Sequence, residues 1–193
     1  MNLPNKLTVL RMVLIPFMMF FYLATFIPHG IGKIVALVIF VVAALTDLLD
    51  GKIARKHNLV TNLGKFLDPI ADKLLVFAAL ILICVDHTIP PVFAELVLFI
   101  MLARDFIIGA LRQVGASNNV IISADNLGKL KTVLQDIALS VLLVVSGLVS
   151  AGVIGVFTTI LLWIGYVTIG LATIVSIISG VNYCIKNKQV FKG

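Results

Sequence analysis

The sequence has 193 residues and a net charge of +6, but only 12% of its residues are charged while 61% are hydrophobic. A soluble domain carries roughly 25% charged residues, so these proportions exclude an ordinary water-soluble fold. Lipid must be the solvent for most of the surface. We expect a single membrane domain over residues 1–193, and nucleic acid is not among its expected partners.

Six apolar segments are each long enough for a transmembrane helix. Such a helix needs about 20 residues, and the segments cover about 8–27, 31–55, 66–86, 91–114, 128–150 and 152–184. The break between the last two is only Ser150–Gly152, which predicts a tight hairpin. The predicted fold is therefore all-α: a polytopic membrane protein built as a bundle of six transmembrane helices.

Lysine and arginine are concentrated at alternate ends of these segments. One set of ends carries Lys6, Arg11, Lys52, Arg55, Lys56, Lys65, Arg112, Lys129, Lys131, Lys186, Lys188 and Lys192, and the other set has Lys33. Basic residues favour the cytoplasmic side. We therefore predict a multi-pass protein of the cell membrane with both termini in the cytoplasm. The charge could serve orientation alone, although several of these residues also lie beside the candidate site.

Four aspartates occur within or beside the second and third segments. Asp47 and Asp50 lie one helical turn apart, and Asp68 and Asp72 have the spacing i, i+4. A short connection makes the two helices antiparallel neighbours, so the carboxylates converge near the cytoplasmic face. Protonation could relieve their repulsion, but a pair of divalent cations does so more economically. Ligation by oxygen alone indicates Mg²⁺ or Mn²⁺, and two such ions suit phosphoryl-type transfer.

Small and basic residues accompany the aspartates. Gly51, Ala54 and Gly64 leave room for a ligand to approach the backbone, or they permit tight helix packing. Arg55 has a forked side chain suited to phosphate, although it could equally be a positive anchor at the membrane surface.

The complete pattern is Asp47-x-x-Asp50-Gly51-x-x-Ala54-Arg55, eight residues, Gly64-x-x-x-Asp68-x-x-x-Asp72. It resembles the signature of the CDP-alcohol phosphotransferase family at every specified position. The resemblance implies that Asp47, Asp50 and Asp68 are metal ligands. It implies that Asp72 is a further ligand and the general base, and that Gly51, Ala54, Arg55 and Gly64 surround the cytidine nucleotide. It also implies six transmembrane helices and a homodimer.

Three further stretches are similar to family members whose acceptor is glycerol 3-phosphate. They are Asn2-Leu3-Pro4-Asn5-x-Leu7-Thr8-x-x-Arg11, Arg104-Asp105-Phe106 with Arg112, and Gly128-Lys129-x-Lys131-Thr132-x-x-Gln135. The similarity implies CDP-diacylglycerol and glycerol 3-phosphate as substrates. Asn5, Thr8 and Arg11 are candidate contacts to the donor lipid.

An acceptor that already carries a phosphate needs cations separate from those that hold the donor. The candidates are Arg104, Arg112, Lys129 and Lys131. Arg104 could instead form a structural ion pair with Asp105 or Asp136.

Other functions remain possible from these residues. The acceptor could be inositol phosphate or phosphatidylglycerol. The aspartates could also belong to a cation-coupled transporter, which would need a polar track across the whole bilayer. Their clustering near one face favours an enzyme whose site faces the cytoplasm.

Overall fold

The computed structural model describes residues 2–27, 30–56, 61–117 and 126–187. Within these ranges the description covers the backbone alone at residues 3, 47–56, 62, 65, 116 and 117. All regular structure in the described ranges is helical, in agreement with the predicted all-α class. The six helices of these ranges are α1 (Leu3–Leu23), α2 (Ile31–Lys56), α3 (Asn62–Val85), α4 (Pro91–Ser117), α5 (Asn126–Ser150) and α6 (Val156–Lys186).

Local sequence signals explain several helix ends. A proline lies in the first turn of α1, where its missing N–H is not needed. Thr61 precedes α3, and its hydroxyl accepts a hydrogen bond of 3.0 Å from the backbone N–H of Gly64. This side-chain cap satisfies a donor that the helix cannot pair internally. After α5, Gly152 has φ +78°, a conformation that glycine adopts without strain.

Two predicted boundaries are wrong. The sixth helix begins at Val156 and not at 152, so five residues, Ala151–Gly155, connect it to α5. The connecting residues are apolar or glycine, and hydropathy alone therefore cannot distinguish them from a membrane-spanning helix. The first helix covers Leu3–Leu23, whereas the predicted segment extended over about 8–27.

Among the described residues, three helices are long and apolar enough to cross a membrane. They are Pro4–Leu23, Asn126–Ser150 and Val156–Lys186, and α2 contributes a shorter apolar stretch, Ile31–Thr46. Charged residues interrupt the remaining helices, among them Asp72 in α3 and Arg104 in α4. The chain is therefore a membrane protein, and the helices with the weakest membrane signal carry most of the candidate site.

The helices pack as neighbours around one interior. α5 lies against α6 and α2, α1 against α2 and α3, and α4 against α6. The largest core cluster contains Met18, Phe40, Leu82, Leu139 and Ile169, all inaccessible or nearly so. Many large apolar side chains remain on the outside. An apolar exterior around a packed interior is expected when lipid surrounds the bundle.

Candidate active site

The four predicted metal ligands lie on two helices in contact. Asp47 and Asp50 belong to α2, Asp68 and Asp72 to α3, and these helices touch as predicted. The side chains of Asp47 and Asp50 lie outside the described residues, so the convergence of all four carboxylates stays a prediction. Among the described side chains, no three Asp, Glu, His or Cys residues form a cluster that could hold a metal.

Asp72 borders a cavity of about 260 Å³ that lies between α1, α2, α3 and α5. The wall includes Arg11 from α1 and Lys129 and Asp136 from α5. Arg11 is almost inaccessible, at 1% exposure. The cavity thus combines two cations with two carboxylates in a mainly apolar bundle. A partly open cavity lined by charged side chains is suited to an ionic ligand.

The α1 residues Asn5 and Thr8 are buried against the start of α3. The hydroxyl of Thr8 lies 2.6 Å from Oδ1 of Asp68, to which it donates a hydrogen bond. The side-chain amide of Asn5 exchanges hydrogen bonds with the hydroxyl of Thr61. Their predicted role as contacts to the donor lipid remains untested. In the structure their polar groups bind α3 and its cap.

The carboxylate of Asp105 binds two of the four basic side chains that were predicted to hold the phosphate of the acceptor. Its Oδ1 accepts a hydrogen bond from Nη1 of Arg104 at 2.8 Å, and its Oδ2 accepts one from Nζ of Lys131 at 3.0 Å. The side chain of Lys131 is only 4% exposed. Two cations and one carboxylate leave one net positive charge. Arg104 therefore forms the ion pair with Asp105 that the sequence offered as an alternative.

The other two basic side chains predicted to hold the acceptor phosphate, Arg112 and Lys129, have other surroundings. Arg112 follows Arg104 by two turns of α4; its Nε donates to the hydroxyl of Tyr183 at 3.0 Å, and its guanidinium lies over the Tyr183 ring. Lys129 borders the Asp72 cavity. The set therefore does not form a single cluster: Arg104 and Lys131 meet at Asp105, while Arg112 and Lys129 have separate surroundings.

Sequence reasoning missed the contribution of α6. Nη2 of Arg104 donates to the hydroxyl of Ser179 at 2.8 Å, and Tyr183 supports Arg112. Both residues share a helix face with the buried Ser176. Polar residues at helical spacing in an otherwise apolar segment were the available signal. Lys73 was also missed: its Nζ donates to the backbone oxygen of Asp105 at 3.2 Å and ties α3 to α4.

The predicted nucleotide surface is described only in part. The side chains of Ala54 and Arg55, and the surroundings of Gly51, lie outside the described residues. At Gly64 an added Cβ would lie 2.7 Å from Oδ1 of Asn5. The absence of a side chain at this position therefore has a packing reason, and the nucleotide role stays a prediction.

Comparison with known proteins identifies the family of this chain. The pattern that defines the CDP-alcohol phosphatidyltransferase family matches residues 1–176. The chain belongs to this enzyme family.

Similar proteins within the family share one activity in their names. The chain is 39% identical to the CDP-diacylglycerol–glycerol-3-phosphate 3-phosphatidyltransferase of Bacillus subtilis, over 99% of this chain and 97% of that protein. The Rickettsia felis enzyme of the same name is 37% identical over 98% of this chain and 97% of its own length. That of Haemophilus influenzae is 41% identical over 74% and 75%, respectively.

Proposed function

We propose that this protein transfers the phosphatidyl group of CDP-diacylglycerol to glycerol 3-phosphate, giving phosphatidylglycerol phosphate and CMP. The observation that carries the proposal is the cavity where Asp72 lies beside Arg11 and Lys129. The cavity offers a base and cations around one space. Relatives similar over nearly the whole chain are named for this reaction.

The acceptor hydroxyl must lose a proton as its oxygen attacks the β-phosphorus. In our proposal Asp72 accepts that proton, while the bond from phosphorus to the departing CMP oxygen breaks. A general base must be close to the reacting hydroxyl, and Asp72 borders a cavity large enough for a small alcohol. The carboxylate then returns the proton to solvent before the next turnover.

Divalent cations fit the donor set of this site. Its candidate ligands are all carboxylates, as hard cations prefer, and Asp68 and Asp72 are half-buried one turn apart on α3. Asp47, Asp50, Asp68 and Asp72 would hold two ions, Mg²⁺ or Mn²⁺. When bound, the ions would supply charge neutralisation for the diphosphate and for the leaving CMP.

The phosphate of the acceptor needs a separate cationic pocket. Arg104 and Lys131 are drawn together by Asp105 and retain a net positive charge. In our proposal they bind the glycerol 3-phosphate phosphate, and Arg112 and Lys129 add positive potential around it. Inositol phosphate would bind to the same cations through its phosphate. Phosphatidylglycerol is a lipid, so it would depend more on apolar contacts.

The deciding experiment is a lipid-product assay of the purified protein. CDP-diacylglycerol would be supplied with glycerol 3-phosphate, inositol phosphate or phosphatidylglycerol, with Mg²⁺, Mn²⁺ or a chelator. We expect phosphatidylglycerol phosphate with the first acceptor and no product with the chelator. Product from another acceptor alone would overturn the assignment, and full turnover in chelator would overturn the metal requirement.

We further propose that all six helices cross the cell membrane, with both termini and the site on the cytoplasmic side. In a chain without Cys84 and Cys184, single cysteines would be placed at positions 57, 88 and 188. An impermeant reagent should label position 88 from outside and the other two only after lysis. Labelling of 57 and 88 from one side would contradict this topology. The homodimer implied by family resemblance is tested by measuring the mass of the detergent-solubilised protein.

A further inference from the structure

The first two turns of α1 make polar contacts with the start of α3. Asn5 is 5% exposed and Thr8 is fully buried, although both side chains are polar. Polar side chains with little access to water need a partner inside the protein. Both find their partners at the beginning of α3, the helix that carries Asp68 and Asp72.

The first contact fixes the position of α1. Nδ2 of Asn5 donates to Oγ1 of Thr61 at 2.8 Å, and the same hydroxyl lies 3.0 Å from Oδ1 of Asn5. Thr61 also caps α3 by accepting from the backbone N–H of Gly64 at 3.0 Å. A Cβ at Gly64 would lie 2.7 Å from Oδ1 of Asn5. A side chain at Gly64 would therefore force the Asn5 side chain to shift.

The second contact follows from the first. Thr8 lies three residues after Asn5, so both face the same neighbour. Oγ1 of Thr8 is 2.6 Å from Oδ1 of Asp68 and 3.2 Å from the backbone oxygen of Pro4. A hydroxyl has only one hydrogen, and the shorter distance favours the bond to Asp68. One oxygen of the Asp68 carboxylate is thus held by α1.

We propose that Thr8 is a positioning residue whose hydroxyl orients the Asp68 carboxylate for binding a divalent cation. The Asn5–Thr61–Gly64 contact sets the distance at which it does so. This inference rests on the proposed function, in which Asp68 is a metal ligand. Partners that orient a metal ligand typically contribute 10- to 100-fold to metal affinity.

The test measures Mn²⁺ binding to purified protein in detergent without substrates, by electron paramagnetic resonance of the free ion. We expect Thr8→Val to weaken binding by about 10- to 100-fold. Thr8→Ser, which keeps the hydroxyl, should restore most of the affinity. Thr8→Ala removes the hydroxyl without adding bulk, and it should weaken Mn²⁺ binding in the same way. It replaces the valine variant if that variant does not fold. Gly64→Ala should weaken binding in the same direction because it displaces Asn5.

Thr173→Val is the matched control. Thr173 is also buried in a helix, but its hydroxyl donates to the backbone oxygen of Ile169 at 2.8 Å. This variant should bind Mn²⁺ like the wild type. Wild-type affinity in Thr8→Val or Thr8→Ala would overturn the inference while leaving the proposed function intact. A wild-type protein that binds no Mn²⁺ would overturn the inference together with the proposed Mn²⁺ site, while the lipid-product assay would still decide the reaction.

Discussion

The two ends of the helix bundle each contain a carboxylate paired with a lysine. Among the described residues, the cavity at the Asp72 end is lined by several charged side chains, whereas the cavity at the other end is lined by His87, Thr88 and mainly apolar residues. At the end away from the site, Asp86 follows α3 and pairs with Lys33 of α2. Its Oδ2 accepts hydrogen bonds from the hydroxyls of Thr88 and Ser146, and Ser146 also bonds to Tyr22 of α1. The side chains of this network are supplied by several parts of the chain, and they join α1, α2, α3 and α5.

At the other end, Asp105 is also held by protein donors, and Asp72 and Arg11 border a cavity of about 260 Å³. The comparison shows that a carboxylate in a membrane protein is not by itself a sign of a functional site. What distinguishes the site is charge that faces a space where a ligand fits. The following predictions test whether the two ends differ in this way, beginning with the largest expected effect.

Asp72→Asn should lower the turnover rate by about 10²- to 10⁴-fold, the usual contribution of a general base. Binding of CDP-diacylglycerol should change little, because the other three aspartates remain. Steady-state rates and donor binding would be measured on the same preparation. Asp136→Asn is the matched control, since Asp136 borders the same cavity. An equal loss in both variants would contradict the assignment of the base to Asp72.

Lys131→Ala should raise the KM for glycerol 3-phosphate by roughly 10- to 150-fold, because a charge-assisted hydrogen bond contributes about 1.5–3 kcal/mol. Arg104→Lys should also raise it, since a point charge cannot replace the guanidinium fork. Arg112→Ala should have a smaller effect, because the Arg112 side chain is exposed and supported by Tyr183. If these variants raise the KM for the donor and spare that for the acceptor, the cations serve the nucleotide.

Asp86→Asn should destabilise the protein by about 1.5–3 kcal/mol, the range for a hydrogen bond to a charged group. The KM values of both substrates should stay unchanged, because Asp86 lies at the opposite end from Asp72. Thermal unfolding in detergent and steady-state kinetics would be compared with the wild type. A changed KM with normal stability would show that the two ends are not independent.

The smallest expected effect is the pH dependence of this contribution. Burial alone would raise the pKa of Asp86, but hydrogen bonds from Lys33, Ser146 and Thr88 and the charge of Lys33 bring it below its ordinary value. The carboxylate therefore stabilises the fold at pH values above its unfolded pKa of about 3.9. This stabilisation is lost as pH falls through the lower, folded pKa.

The unfolding midpoints of wild type and Asp86→Asn should thus differ by a constant amount between about pH 7 and pH 5, and converge below about pH 4. Convergence already between pH 7 and pH 5 would indicate that another group is responsible.

Hydropathy was sufficient to locate the helices because each apolar stretch had polar or glycine-containing neighbours. It failed between α5 and α6, where the connecting residues Ala151–Gly155 are as apolar as the helices.

The presence of acidic and basic residues in the site was also apparent from the sequence. Their pairing was not, because the partner of Arg104 depends on how α4, α5 and α6 are rotated against one another. Asp105 and Ser179 became its partners only through that packing.

The turn between α5 and α6 bears on how the protein enters the bilayer. It contains no charged residue, and the N–H groups of Ala151, Gly152, Val153 and Ile154 all donate to backbone oxygens nearby. Unpaired backbone groups and charges are the main obstacles to crossing hydrocarbon, and this turn carries few of either. In the topology we propose, α5 and α6 can therefore insert together during biogenesis as a preformed hairpin, with the turn leading and with Lys129 and Lys131 remaining on the cytoplasmic side.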